Sequence, residues 1–265
     1  MRVFFLPLFF FFCASSMAQS TPVKLLTDKS FMPYSFLKDG IPDGLYVEMI
    51  KRVDEKLVDY DIELEFSDWG AAKARVKAGT ILGLVGPYYH AHDWEYMYPY
   101  SIAIDHDHLI TVCNINVRLK ANPKWPQDYE GLKVGTIAGY DAWRKDTTYG
   151  QQIHTVNFFE FPNVNLALKG VDRQIVDCTM FEQGSFSAHI KLMGETGEIK
   201  KPENIYVATH ISQNAIYIGY SATGIEKGNF PYALDFKKAF DIAFYELLNA
   251  GEFESLYQKY NLSYY

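Results

Sequence analysis

Regular alternation of strand-like and helix-like segments is the feature that most restricts what this chain can fold into. VKLLT, Val23–Thr27, reads as a short buried strand. GLYVEMIKRVDEKLV, Gly44–Val58, follows with apolar residues at Val47, Ile50, Val53 and Leu57, the spacing of one helical face. DIELEF, Asp61–Phe66, alternates as a strand does. Ser67 or Asp68 then caps a helix from Trp69 to Ala78, which Gly79 stops, and ILGLV, Ile81–Val85, is the next strand. A second cycle repeats the plan. Strands are expected at Leu109–Cys113, Lys133–Ile137, Val156–Phe161 and Gln174–Phe181, with helices at Val164–Lys169 and Gly184–Leu192. Ile205–Ala208 and Ala215–Gly219 read as two further strands. Two helices close the chain, Tyr232–Asn249 with Phe236, Phe240, Phe244 and Leu247 on one face, and Glu252–Tyr260.

Two such cycles predict an α/β protein of two lobes, each a largely parallel sheet flanked by helices. The expected crossings lie near Asp105 and Ser221. They assign residues 19–105 and 222–265 to the first lobe and 106–221 to the second. Ligands in such sheets bind beyond the carboxyl ends of the strands, so two lobes can face one another across a cleft.

The amino terminus sets the compartment. Arg2 precedes an apolar run from Val3 to Cys13, and Ser16-Met17-Ala18 supplies small residues before a cleavage point, so residues 1–18 read as a secretory signal peptide. The run is too short for a permanent anchor, and Phe12 is too large for a lipidation site at Cys13. A periplasmic protein of about 247 residues is expected, ample for one large domain or two medium ones. Net charge is −7, and it becomes −8 without Arg2; an acidic balance lacking basic clusters argues against nucleic acid. Cys113 and Cys178 remain after cleavage and form one disulfide or none. Aromatic residues reach 16 %, enough to furnish both a large core and a tyrosine-rimmed cleft.

The order of several short motifs resembles the periplasmic solute-binding proteins that serve polar amino-acid ABC transporters (bacterial extracellular solute-binding protein family 3). TDKSFMPYSF (Thr27–Phe36) looks like that family's opening strand and ligand loop, and DGLYVEMI (Asp43–Ile50) its first helix start. EFSDWGAAKARVKAG (Glu65–Gly79), EGLKVGTIAGYDA (Glu130–Ala142), QIVDCTMFE (Gln174–Glu182) and AFYELLNAGEFESLYQKY (Ala243–Tyr260) follow in the family's order. The resemblance spans nearly the whole mature chain. It implies two lobes joined by a two-stranded hinge, closing on a small molecule held by aromatic rings and a few polar groups. It also implies a monomer without cofactor, working with a membrane permease or sensor in another chain.

By this resemblance Phe31 and Trp69 stand where relatives stack on ligand, although large aromatics also suit a core; Tyr34 reads as core. Tyr88 joins the candidate contacts. Glu182 keeps the acid that binds a ligand amine. The carboxylate side departs from the family. Six residues before Tyr100, where relatives place an arginine, stands Trp94, and the threonine expected after Gly139 is replaced by Tyr140 and Asp141. Tryptophan cannot give the bidentate grip of arginine, and Asp141 repels an anion. An ordinary α-amino acid is therefore disfavoured, whereas a cation or a neutral ring-bearing or polyol ligand fits, with cation–π contact available.

Four histidines fall within HAHDWEYMYPYS and DHDH. His90, His92, Asp93, Asp105, His106, Asp107 and His108 are ligand types suited to zinc, nickel or copper, and equally to solvated loops. No nucleophile elbow, H-E-x-x-H or phosphate loop occurs. Three readings stay open beside a binding protein: a dehydratase or lyase using Glu182 or Asp141 as base, a metal-binding protein using the histidines, and a sensory module.

Overall fold

The computed structural model describes residues 20–140 and 154–264. The expected signal peptide, residues 1–18, and Asp141 lie outside the described residues. The strands are β1 (Thr21–Asp28), β2 (Ser30–Phe31), β3 (Ser35–Lys38), β4 (Ile41–Asp43), β5 (Tyr60–Ser67), β6 (Gly83–Val85), β7 (Met97–Tyr100), β8 (Asp105–Asn114), β9 (Lys133–Ile137), β10 (Asn157–Phe161), β11 (Cys178–Glu182), β12 (Ile205–Ile216) and β13 (Ile218–Ser221). The helices are α1 (Leu45–Asp54), α2 (Trp69–Ala78), α3 (Val164–Asp172), α4 (Gln183–Glu195), α5 (Ala222–Glu226), α6 (Ala233–Asn249) and α7 (Glu254–Lys259).

Two five-stranded sheets form two lobes, in the orders β5-β1-β6-β13-β7 and β10-β9-β11-β8-β12. Each has a parallel trio, β5-β1-β6 or β10-β9-β11, extended by two antiparallel strands. Those antiparallel strands flank the crossings between lobes. β8 enters the second sheet and β12 returns, paired from Asp105↔Ile216 to His108↔Gln213, which makes the two-stranded hinge. β13 already belongs to the first sheet, so the return lies at Tyr217 rather than near Ser221. The two strands expected at Ile205–Ala208 and Ala215–Gly219 are instead the ends of one long bulged strand and the start of the next.

Core packing explains the helices. In α6, Phe236, Phe240, Phe244 and Leu247 are buried as expected, beneath the first sheet with α1 and Phe253. Each buried phenylalanine of that row contributes roughly 1.5–3 kcal/mol by leaving water. In α1 the buried face is Leu45, Tyr46, Met49, Ile50 and Val53, one residue around from the expected Val47–Leu57 stripe, and the helix ends before Leu57. Gly79, at φ 76°, stops α2 in the left-handed conformation that glycine adopts freely. Cys113 and Cys178 are directly opposed on β8 and β11 and are disulfide-bonded. Closing a chain segment of 65 residues stabilises by about 4 kcal/mol in the chain-entropy account. DHDH, expected at the hinge, opens the hinge strand β8, with Asp105 and Asp107 buried and His106 exposed.

Candidate ligand cleft

A cavity of about 370 Å³ lies between the lobes. It opens where parallel strands end: β6 delivers Gly86 to His90, β9 delivers Ile137 and Tyr140, and β11 delivers Met180 to Glu182. Phe31, Trp69, Tyr88, Trp94, Tyr140 and Glu182 all line it. These six candidates, drawn from both lobes, are thus brought to one place.

Glu182 ends β11 and stands at the N-cap of α4. The Tyr88 hydroxyl, from the other lobe, donates to Glu182 Oε1 at 3.0 Å. Burial raises the Glu182 carboxyl to about 7; the nearby Asp107 charge adds to the rise and the Tyr88 hydrogen bond opposes it. Asp28, at the end of β1, is also raised by burial, while accepting from Ser30 N (2.8 Å), Ser30 Oγ (3.1 Å) and Tyr140 Oη (2.9 Å). Among the described residues lining the cavity there is no lysine or arginine.

Trp94 is buried in the core cluster of Ala72, Val76, Leu84 and Met97 while still lining the cavity. His90 stacks on it, centroids 4.1 Å apart at 25°. Lys73 Nζ lies 4.8 Å from its ring centroid and donates to Gly139 O at 2.8 Å. The lysine nearest the tryptophan therefore bonds across the cleft to the other lobe's backbone. His90 Nδ1 and His92 Nε2 contact Asp93 at 3.2 and 3.5 Å.

Behind the cleft, Asp105 accepts from Tyr257 Oη (2.6 Å), Tyr46 Oη (3.2 Å) and His106 N (2.7 Å). Asp107 accepts from Tyr34 Oη and His108 N, and from the Gly184 backbone at the start of α4. Burial raises Asp105 to about 7 and Asp107 to about 6. His106 and His108 line a second, small polar cavity beside Asp105 and Asp107, whereas His90, His92 and Asp93 line the main one. The two histidine groups do not converge. Among the described residues no group of three or more His, Cys, Asp or Glu is placed to hold a metal ion.

Sequence reasoning missed Ser212, Gln213 and Asn214, which the end of β12 brings to the cavity. The polar run SQN between apolar strand residues was the available signal. It also missed Lys73 and Asp28, whose importance comes from contacts to residues far along the chain.

No protein-family model matches the chain, and no curated protein matches it. Solved structures do. One, reported for glutathione import via GshT and the cystine ABC importer TcyBC of Streptococcus mutans, superposes with TM-score 0.74 at 18 % identity, covering 93 % of this chain and 97 % of that one. A histidine kinase sensor domain with similarity to periplasmic binding proteins gives 0.70 at 15 %, covering 91 % and 96 %. The ancestral amino acid-binding protein AncCDT-1, a precursor of cyclohexadienyl dehydratase, gives 0.68 at 14 %, covering 90 % and 95 %. Identities this low carry the architecture alone, and the architecture agrees along the length of the described chain: this protein has the two-lobed periplasmic binding protein fold.

Proposed function

We propose that the protein is a periplasmic solute-binding protein, exported by the signal peptide at residues 1–18, that closes its lobes on a small ligand. It acts as a monomer without cofactor and presents the closed form to a membrane permease or sensor in another chain. The ligand is an amine or other cation, or a neutral molecule, that lacks an α-carboxylate. One observation carries this reading: the cavity holds the half-buried acid Glu182 but has no lysine or arginine among its described lining residues. An anion brought within ~7 Å of an ionised Glu182 meets a repulsion of about 2 kcal/mol at the effective dielectric of a protein site, before Asp28 and Asp107 are added. A cation gains a comparable attraction, and the faces of Phe31, Trp69 and Trp94 suit its apolar part. The structural neighbours include proteins of import, sensing and amino-acid binding, which supports a binding role and a membrane partner.

Thermal unfolding of the mature protein against amino acids, polyamines, quaternary amines, sugars, aromatic acids and divalent metals tests the reading. A ligand at a hundred times its Kd stabilises by about 2.7 kcal/mol. Shifts with amines or neutral solutes and none with amino acids are expected; a shift with an ordinary amino acid overturns the ligand assignment. A second reading follows from the Glu182 value near 7, which suits a general base in a closed cleft. Recovery of the bound molecule unchanged after prolonged incubation excludes it; consumption under turnover establishes it.

A further inference from the structure

The Gly139–Tyr140 turn of the second lobe reaches across the cleft and docks on the first by three separate contacts. Tyr140 Oη donates to Asp28 Oδ2 at 2.9 Å. Gly139 O accepts from Lys73 Nζ at 2.8 Å. Gly139 itself, at φ 84°, lies so near α2 that a Cβ there would sit 3.3 Å from Gly70 N. The turn is held tightly by residues that no ligand needs to supply.

The ring of Tyr140 enters the aromatic wall. It meets Phe31 edge-on at 6.3 Å and 82°, and Trp69 at 5.9 Å and 64°. All three rings line the cavity. Edge-to-face contacts at these separations are favourable in themselves, so Phe31 and Trp69 already have an aromatic partner from the chain. We infer that Tyr140 is a specificity-determining residue: it occupies the corner formed by Phe31, Trp69 and Asp28, and so limits how far a ligand held at Glu182 can extend. Glu182, Tyr88, Trp94 and Gln213 line the rest of the same space. Ligands short enough for that space are accepted, and longer ones of the same chemistry are refused. The same contact draws the lobes together in the absence of ligand.

This rests on reading the cavity as the ligand site, and the test has one arm that does not. Tyr140→Ala and Tyr140→Phe are compared with the unmodified protein, each checked for folding by circular dichroism. In the first arm, small-angle scattering is recorded without ligand. Tyr140→Ala is expected to show a larger radius of gyration, while Tyr140→Phe, which keeps the ring, stays nearer the unmodified protein. In the second arm, calorimetry measures phenethylamine and 4-phenylbutylamine. The preference for the shorter amine is expected to fall about tenfold or more in Tyr140→Ala and to persist in Tyr140→Phe. An unchanged preference overturns the inference. If neither amine binds any of the three proteins, the amine reading fails, and scattering alone decides: expansion of Tyr140→Ala supports the role of Tyr140, and an unchanged radius overturns it.

Discussion

Tyrosine–aspartate contacts stand at the front and at the back of the gap between the lobes, and they differ in what they join. At the front, Tyr140 of the second lobe donates to Asp28 of the first, 112 residues away. At the back, Tyr34 of the first lobe donates to Asp107, which sits on the hinge strand and also accepts from the start of α4. The back contact lies beside the paired strands that link the lobes. The front contact has no paired strands beside it and joins the lobes through side chains alone. The chemistry is the same in both, a phenol on a buried carboxyl. Topology places one at the hinge strands and the other across the cleft.

The largest way to disturb this comparison is pH. Asp105, Asp107 and Glu182 have folded values of about 7, 6 and 7 against ordinary values of 3.8, 3.8 and 4.5. A raised carboxyl adds stability that is full below about pH 4 and is lost as pH rises through 6–7. His189, lowered by burial, works oppositely but only below about pH 6.5. Asp128 and Glu198, lowered beside Lys120 and Lys169, act below about pH 4.5. The melting temperature should therefore fall by on the order of 5 °C between pH 6 and 8. Asp107→Asn should flatten part of that slope in a calorimetric scan; a melting temperature that rises over this range would contradict the burial of these acids.

Gly184→Ala comes next. An added Cβ would collide with the Tyr34 hydroxyl and stand 2.7 Å from Leu262 Cδ2. Overpacking of this kind costs about 1–3 kcal/mol. Denaturant unfolding should show that loss, and Tyr34→Phe in the same background should recover part of it. Recovery would separate the tyrosine contact from a general loss of packing in α4.

Ligand affinity should follow Glu182. A cation requires its ionised form, so amine binding should strengthen by up to about tenfold from pH 6 to pH 8, and Glu182→Gln should remove that dependence. Titration calorimetry at the two pH values reads it. The smallest effect is expected for Tyr140→Phe, which deletes one hydrogen bond to a buried carboxyl that Ser30 still partners, about 1 kcal/mol.

Much of the architecture was legible because it is periodic. The α6 face from Phe236 to Leu247 follows from local spacing, and the Trp69–Ala78 helix from its cap residues and from Gly79 at its end. The small sheet β2-β3-β4 was not, since strands of two to four residues carry too few side chains to show alternation. Tyr88, Tyr140 and Glu182 meet at the cavity because they stand at or just beyond the ends of β6, β9 and β11, positions that sequence pattern can locate. The partners of Tyr34, Tyr140 and Lys73 lie 66 to 112 residues away, and no local pattern encodes such pairs. Trp94 was legible as a departure from arginine, but its packing against Val76 and Met97 depends on how α2 meets β7.

The most direct measurement compares each amino acid with its decarboxylated amine at pH 8: phenylalanine with phenethylamine, arginine with agmatine, ornithine with putrescine. Members of a pair differ by one carboxylate, the group for which the described cleft has no lysine or arginine. The account predicts that in any pair that binds, the amine binds at least about tenfold tighter. Tighter binding of the amino acid in any pair would contradict it, and would mean that a residue other than those lining the cavity grips the carboxylate.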